Sequence, residues 1–190
     1  MQKIQTANQL SGRATGAIFC AGFGAMWLAI SLYFMQRLGA ATIFGVALGL
    51  AVLLSTAIYL RREAKRWPQV PDDPAVSRAF AWINAIQWLA VFVVASLLAR
   101  LRLYAYIPPA ITAIVGLHMF PLARIFHYRP HYRSGAIMLA WAVASAVFVP
   151  VEYLPGVASV GTGMLLWFSA SVTLTLALRD ARQSAVPLTS

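Results

Sequence analysis

Charge is scarce in this chain of 190 residues, and acidic charge is scarcest: five Asp and Glu in all, with charged residues only 11% of the total. Soluble domains carry about a quarter charged residues. None of the five lies inside an apolar stretch, so no pair of carboxylates is available there for the paired-acid chemistries of intramembrane hydrolysis or prenyl transfer. A single cysteine, Cys20, excludes an intramolecular disulfide and a Cys-based metal cluster. No Walker loop, Gly-x-Ser-x-Gly or His-Glu-x-x-His occurs, so no cofactor is implied.

What is present is apolar residue, 61% of the chain, with a mean hydropathy of +0.72. Six apolar segments, residues 14–35, 41–60, 79–99, 106–126, 134–151 and 157–178, each approach the ~20 residues that cross a bilayer as a helix. The expected fold is all-α: one domain over 1–190, a polytopic bundle of six transmembrane helices paired as three hairpins. The first segment is about 22 residues long, beyond the ~7–15 of a signal-peptide core, so it is expected to stay.

The fifteen Lys and Arg would indicate nucleic acid in a soluble protein, but no basic helix or aromatic RNA-binding motif accompanies them. They sit between the apolar runs. With the N-terminus inside, twelve fall on the cytoplasmic side, and only Arg37, Arg100 and Arg102 fall outside. This is the positive-inside asymmetry, and it predicts N-in/C-in topology. Thirteen of the fifteen basic residues are Arg and Ala is abundant, a composition that points to a GC-rich bacterial genome and so to a bacterial inner membrane. The three outer loops are short, and the long loop, 61–78, is internal. An odd number of spans per half permits an inverted repeat, although no residue-level repeat accompanies it.

Polar residues inside the runs are few. Asn84 and Gln87, at i and i+3, share a face of the third segment. His118 is the one histidine well within a span, three residues before Pro121, which interrupts helix hydrogen bonding. A rise of 1.5 Å per residue puts Asn84 at ~7 Å depth and Gln87 and His118 at ~12 Å from the cytoplasmic side. Ser55, Thr56, Ser169 and Thr173 fall in the same layer. Amides and imidazole are costly against lipid, so they are expected to face one another or a wet cavity. Two readings stay open: interhelical hydrogen bonding that fixes register, or a cytoplasm-facing pocket for a small polar or amphiphilic ligand at Asn84, Gln87 and His118.

His127 and His131 have the i, i+4 spacing of a helical metal pair, but Pro130 lies between them and no carboxylate is near. The segment 127–133 reads instead as an interfacial turn, with Tyr128 and Tyr132 at headgroup level and Arg129 and Arg133 toward anionic lipid headgroups or a phosphate. Glu152 reads as a loop residue paired with Arg100 or Arg102. Gly16, Cys20 and Gly24 recur every four residues, a small-residue face for helix packing within the chain or in a homo-oligomer.

The run Trp82-Ile83-Asn84-Ala85-Ile86-Gln87-Trp88, followed by Ile114-Val115-Gly116-Leu117-His118-Met119-Phe120-Pro121-Leu122-Ala123, resembles a group of small bacterial six-helix membrane proteins to which no activity is attached. The likeness spans roughly residues 79–178 and implies that Asn84, Gln87 and His118 belong to one core. For function, the expectation is a small carrier or channel-like protein. The alternatives are a membrane-embedded enzyme acting on a lipid or isoprenoid, and a non-catalytic subunit or assembly protein of a membrane complex.

Overall fold

A computed structural model describes residues 6–71 and 73–184; Lys3, counted above among the basic residues, and Asp72 lie outside them. Among the described residues there are six α-helices and no strand: α1 (Ala7–Phe34), α2 (Ala40–Ala64), α3 (Pro74–Arg100), α4 (Ile107–Ile125), α5 (Pro130–Phe148) and α6 (Leu154–Ser184). A single 3-10 turn, Tyr104–Tyr106, precedes α4.

Local chemistry sets the boundaries. The Asp73 carboxylate accepts from the Ala75 N–H at 2.8 Å, and Pro74 opens α3 where its missing N–H is not needed. Pro130 opens α5 in the same way. The helices α1, α3 and α4 end in one motif. Gln36, Arg102 and His127 take positive φ (53°, 60° and 49°), and the following N–H reaches back to Leu32, Leu98 and Ala123 respectively at 2.8–3.0 Å. These are Schellman ends built without glycine.

Five of the six helices are long and apolar enough to cross a membrane. The exception is α5, whose 19 residues begin Pro-His-Tyr-Arg-Ser-Gly and so leave a short apolar remainder. The surface is apolar as well: Phe92 is 71% exposed and Phe148 81%.

The helix at the centre is α6, packed on α1, α5, α4 and α2; α1 also packs on α2, and α4 on α5 and α3. One core cluster joins Leu10, Ala14 and Ala17 of α1 to Leu60 of α2 and Leu174 of α6. A second joins Trp27, Met119, Met138 and Leu166 across α1, α4, α5 and α6. Backbones meet where side chains vanish. A Cβ on Gly163 would lie 2.9 Å from the Gly24 carbonyl oxygen, and one on Gly135 2.7 Å from that of Gly116. These two crossings hold α1 to α6 and α4 to α5 by close van der Waals contact, the main attraction available between helices in lipid. Gly24 is therefore occupied by α6, whereas a Cβ on Gly16 would meet nothing within 4 Å. The small-residue face is split between an internal contact and an open position. By contrast α3 buries none of its residues fully.

Candidate functional site

The polar residues gather at the end of the bundle where α1 begins and α6 finishes. Tyr128 lies at its centre because of the α4 end: His127 turns left-handed, the Tyr128 N–H bonds the Ala123 carbonyl at 3.0 Å, and Pro130 starts α5 two residues on. Tyr128 does not take the headgroup position expected of it: the left-handed turn folds the phenol inward, 5% exposed, where it donates to Thr173 Oγ1 of α6 at 3.1 Å. Burial pushes the phenol's pKa above its ordinary value, and the Thr173 hydrogen bond and the Arg13 charge only partly oppose this. The Arg13 guanidinium stands 5.0 Å from the Tyr128 ring centroid and makes a 3.2 Å ion pair with Asp180.

On its other side Tyr128 meets the His131 imidazole edge-on, with centroids 4.8 Å apart. His131 rides in the first turn of α5, and its Nδ1 is buried with no hydrogen-bond partner among the described residues. It lies close enough to His118 of α4 for their charges to oppose each other. His118, half-buried, is within hydrogen-bonding reach of the Ile83 backbone on α3. A line of polar groups thus runs from Asp180 through Arg13, Tyr128, His131 and His118 to α3, touching every helix except α2. Ser134 adds a 3.1 Å hydrogen bond to Ser169 beside it.

Asn84 and Gln87 fall on the half-buried face of α3 that also carries Ile83. The Asn84 amide donates back to Phe80 of its own helix at 2.8 Å, and Gln87 makes no side-chain hydrogen bond among the described residues. His118 is thus brought to the α3 backbone beside Asn84 without bonding either amide. Of the remaining layer, Ser169 and Thr173 join the cluster, while Thr56 bonds its own helix at Val52 and Ser55 is exposed.

Arg129 and Arg133 are exposed on the outer side of the α4–α5 turn. His127 is exposed at the helix end, so it and His131 do not share a helix, and no group of three or more metal-ligating side chains forms among the described residues. Glu152 is exposed and makes no ion pair among them: the expected partner, Arg100 or Arg102, is not engaged. Sequence reasoning missed Arg13, Tyr128, His131 and Asp180 as a unit. A signal for it existed, since Asp180 is the one acid after Glu152 and Arg13 directly precedes the apolar run of α1.

Comparison with protein-family models, with curated proteins and with solved structures finds no match. What the helices define is a class: an all-α, multi-pass integral membrane protein.

Proposed function

We propose that the chain is a small carrier or channel-like protein of the bacterial inner membrane that handles a small polar or amphiphilic solute at His118, Asn84 and Gln87. Six spans are supported by connectivity: α5 joins α4 to α6 through short turns and packs on both. N-in/C-in orientation rests on the twelve-to-three basic count, which puts the polar cluster at the cytoplasmic mouth. Signal-free reporter fusions at the two ends test this, and opposite locations would refute it.

The observation that carries the reading is the pair of half-buried imidazoles, His118 and His131, one with a buried nitrogen that has no hydrogen-bond partner among the described residues. An unpaired buried polar atom is unfavourable by about 1–3 kcal/mol unless water or a ligand reaches it. Titratable groups inside a membrane mark solute or proton paths more often than packing. The loosely held α3, which supplies the opposite wall, is the element best able to move.

The test is uptake. Proteoliposomes with an imposed pH gradient are bathed in the small-molecule fraction of a cell extract, and their contents are read by mass spectrometry. At least one solute is expected to accumulate with the native chain and to fall to the empty-liposome level with His118→Ala, whose thermal unfolding is checked in parallel. Identical contents in all three preparations would refute the carrier reading. The same pair of imidazoles favours one second reading, an embedded enzyme using them as proton donor and acceptor on a lipid or isoprenoid. That reading expects a chemically altered compound rather than a transferred one.

A further inference from the structure

An open cleft of about 370 Å³ lies between the start of α1 and the basic end of α2 and shares no residue with the His118 cluster. Its polar lining is Asn8, Ser11, Arg61, Arg62, Lys65 and Gln69, with Ile58 on its apolar side. This volume is at the lower end of the roughly 300–1,000 Å³ typical of small-ligand sites.

We infer that this cleft binds the phosphate of an anionic phospholipid. The charge arrangement is the first ground. Four cations crowd residues 61–66 with one acid, Glu63, and Glu63 is taken by Arg66 at 3.2 Å. Arg61, Arg62 and Lys65 line the cleft with no carboxylate partner among the described residues. Arg61 and Lys65 are i, i+4 neighbours of like charge, an unfavourable pairing on a helix that a shared anion reverses.

The second ground is a fixed wall. Asn8 Nδ2 donates to the Val70 carbonyl at 2.6 Å, the Ala7 N–H donates to Pro68 at 3.0 Å, and Gln69 Nε2 donates to Trp67 at 3.2 Å. The first two bonds clamp the segment after α2 against the start of α1, and the third folds Gln69 back on that segment, so the cations border a pre-formed space.

Depth is the third. Arg61 follows directly on the apolar run 41–60, and Ile58 and Tyr59 are 45% and 56% exposed on the lipid side of it. The cleft therefore sits at headgroup level, with lipid-facing helix surface below it for the acyl chains. A soluble anion would need no such surface. The inference rests on the membrane-spanning reading of α2 and not on transport.

The test titrates the purified full chain in neutral detergent with short-chain phosphatidylglycerol, with short-chain phosphatidylcholine and with inorganic phosphate, followed by calorimetry. Saturable binding of phosphatidylglycerol is expected, weakened about tenfold or more in R61Q/R62Q/K65Q. R61K/R62K, which keeps the charge, is expected to bind as the native chain does. If the triple variant does not fold, Arg62→Gln alone, an exposed position, is expected to show a smaller loss of the same kind. Unchanged binding by the charge-removed variants, equal binding of phosphatidylcholine, or inorganic phosphate binding as tightly as the lipid would each overturn the inference.

Discussion

Arg13 and Asp180 meet at 3.2 Å although 167 positions separate them, one in the second turn of the first helix and the other near the end of the last. Their side chains are only 15% and 16% exposed. The pair closes the bundle at its basic end, where α1 and α6 continue beyond their apolar segments. Arg13 also lies over Tyr128, so the clamp between first and last helices is the support on which the histidine pair rests.

Removing one partner of such a pair leaves a mostly buried charge, so Asp180→Ala is expected to destabilise by about 3–5 kcal/mol at most, less what residual solvent access returns. The cycle Arg13→Ala, Asp180→Ala and the double variant, followed by unfolding in mixed micelles, is expected to give a coupling of about 1–3 kcal/mol. A coupling near zero would make the contact incidental.

Trp167 fills the notch left by Gly24 and Gly49, where a Cβ on either glycine would collide with the indole, and its N–H donates to the Ala21 carbonyl at 3.0 Å. Gly24→Leu is expected to force α1 from α6 and lower stability by about 1–3 kcal/mol. Trp167→Phe keeps most of the volume and loses the hydrogen bond, an expected ~0.5–1.5 kcal/mol. Gly16→Leu, in open space, is expected to stay within about 0.5 kcal/mol of the native chain. Thermal shift in one detergent ranks all three.

The helices were legible because bilayer thickness imposes a run length: each of the six runs falls on a helix, and five of those helices are long and apolar enough to cross a membrane. Their ends were less so: α1 starts at Ala7 rather than near residue 14, and α6 continues to Ser184, because hydropathy does not register a helix that leaves the membrane. The candidate site was half legible. Depth along the axis placed His118, Ser169 and Thr173 in one layer, but depth carries no information about neighbours around the bundle. Ser55 and Thr56 share that depth yet ride on α2, which packs on α1 and α6. His131 was read as part of a surface turn on account of Pro130. Proline at the first position of a helix starts it instead, and the histidine after it points into the bundle.

Tyr128 gives a pH signature. Its pKa is raised in the folded chain, chiefly by burial. The unfolded chain ionises first, near the ordinary ~10 of tyrosine. The stability contributed by keeping the phenol neutral is thus complete below that pH and is lost as pH rises toward the folded value. Native protein is expected to lose stability more steeply than Tyr128→Phe above about pH 10, while at neutral pH the variant is the less stable one through loss of the Thr173 hydrogen bond. Parallel slopes in an alkaline unfolding series would contradict the buried phenol.

The left-handed helix ends supply the last expectation. Gln36 and Arg102 hold φ of 53° and 60°, where a Cβ crowds the carbonyl and costs roughly 1–2 kcal/mol per residue relative to the right-handed region. Glycine removes that crowding at these positions, although it adds freedom to the unfolded chain. Gln36→Gly is therefore expected to stabilise by a net amount under about 1 kcal/mol. A β-branched residue has the opposite sign, so Gln36→Val is expected to loosen the turn at which the Arg37 N–H reaches the Leu32 carbonyl at 2.9 Å. Hydrogen exchange at the Arg37 amide reads the two directions separately from global stability: slower in the glycine variant, faster in the valine one. Exchange that does not distinguish the two variants would mean that the Schellman bond does not hold this end of α1.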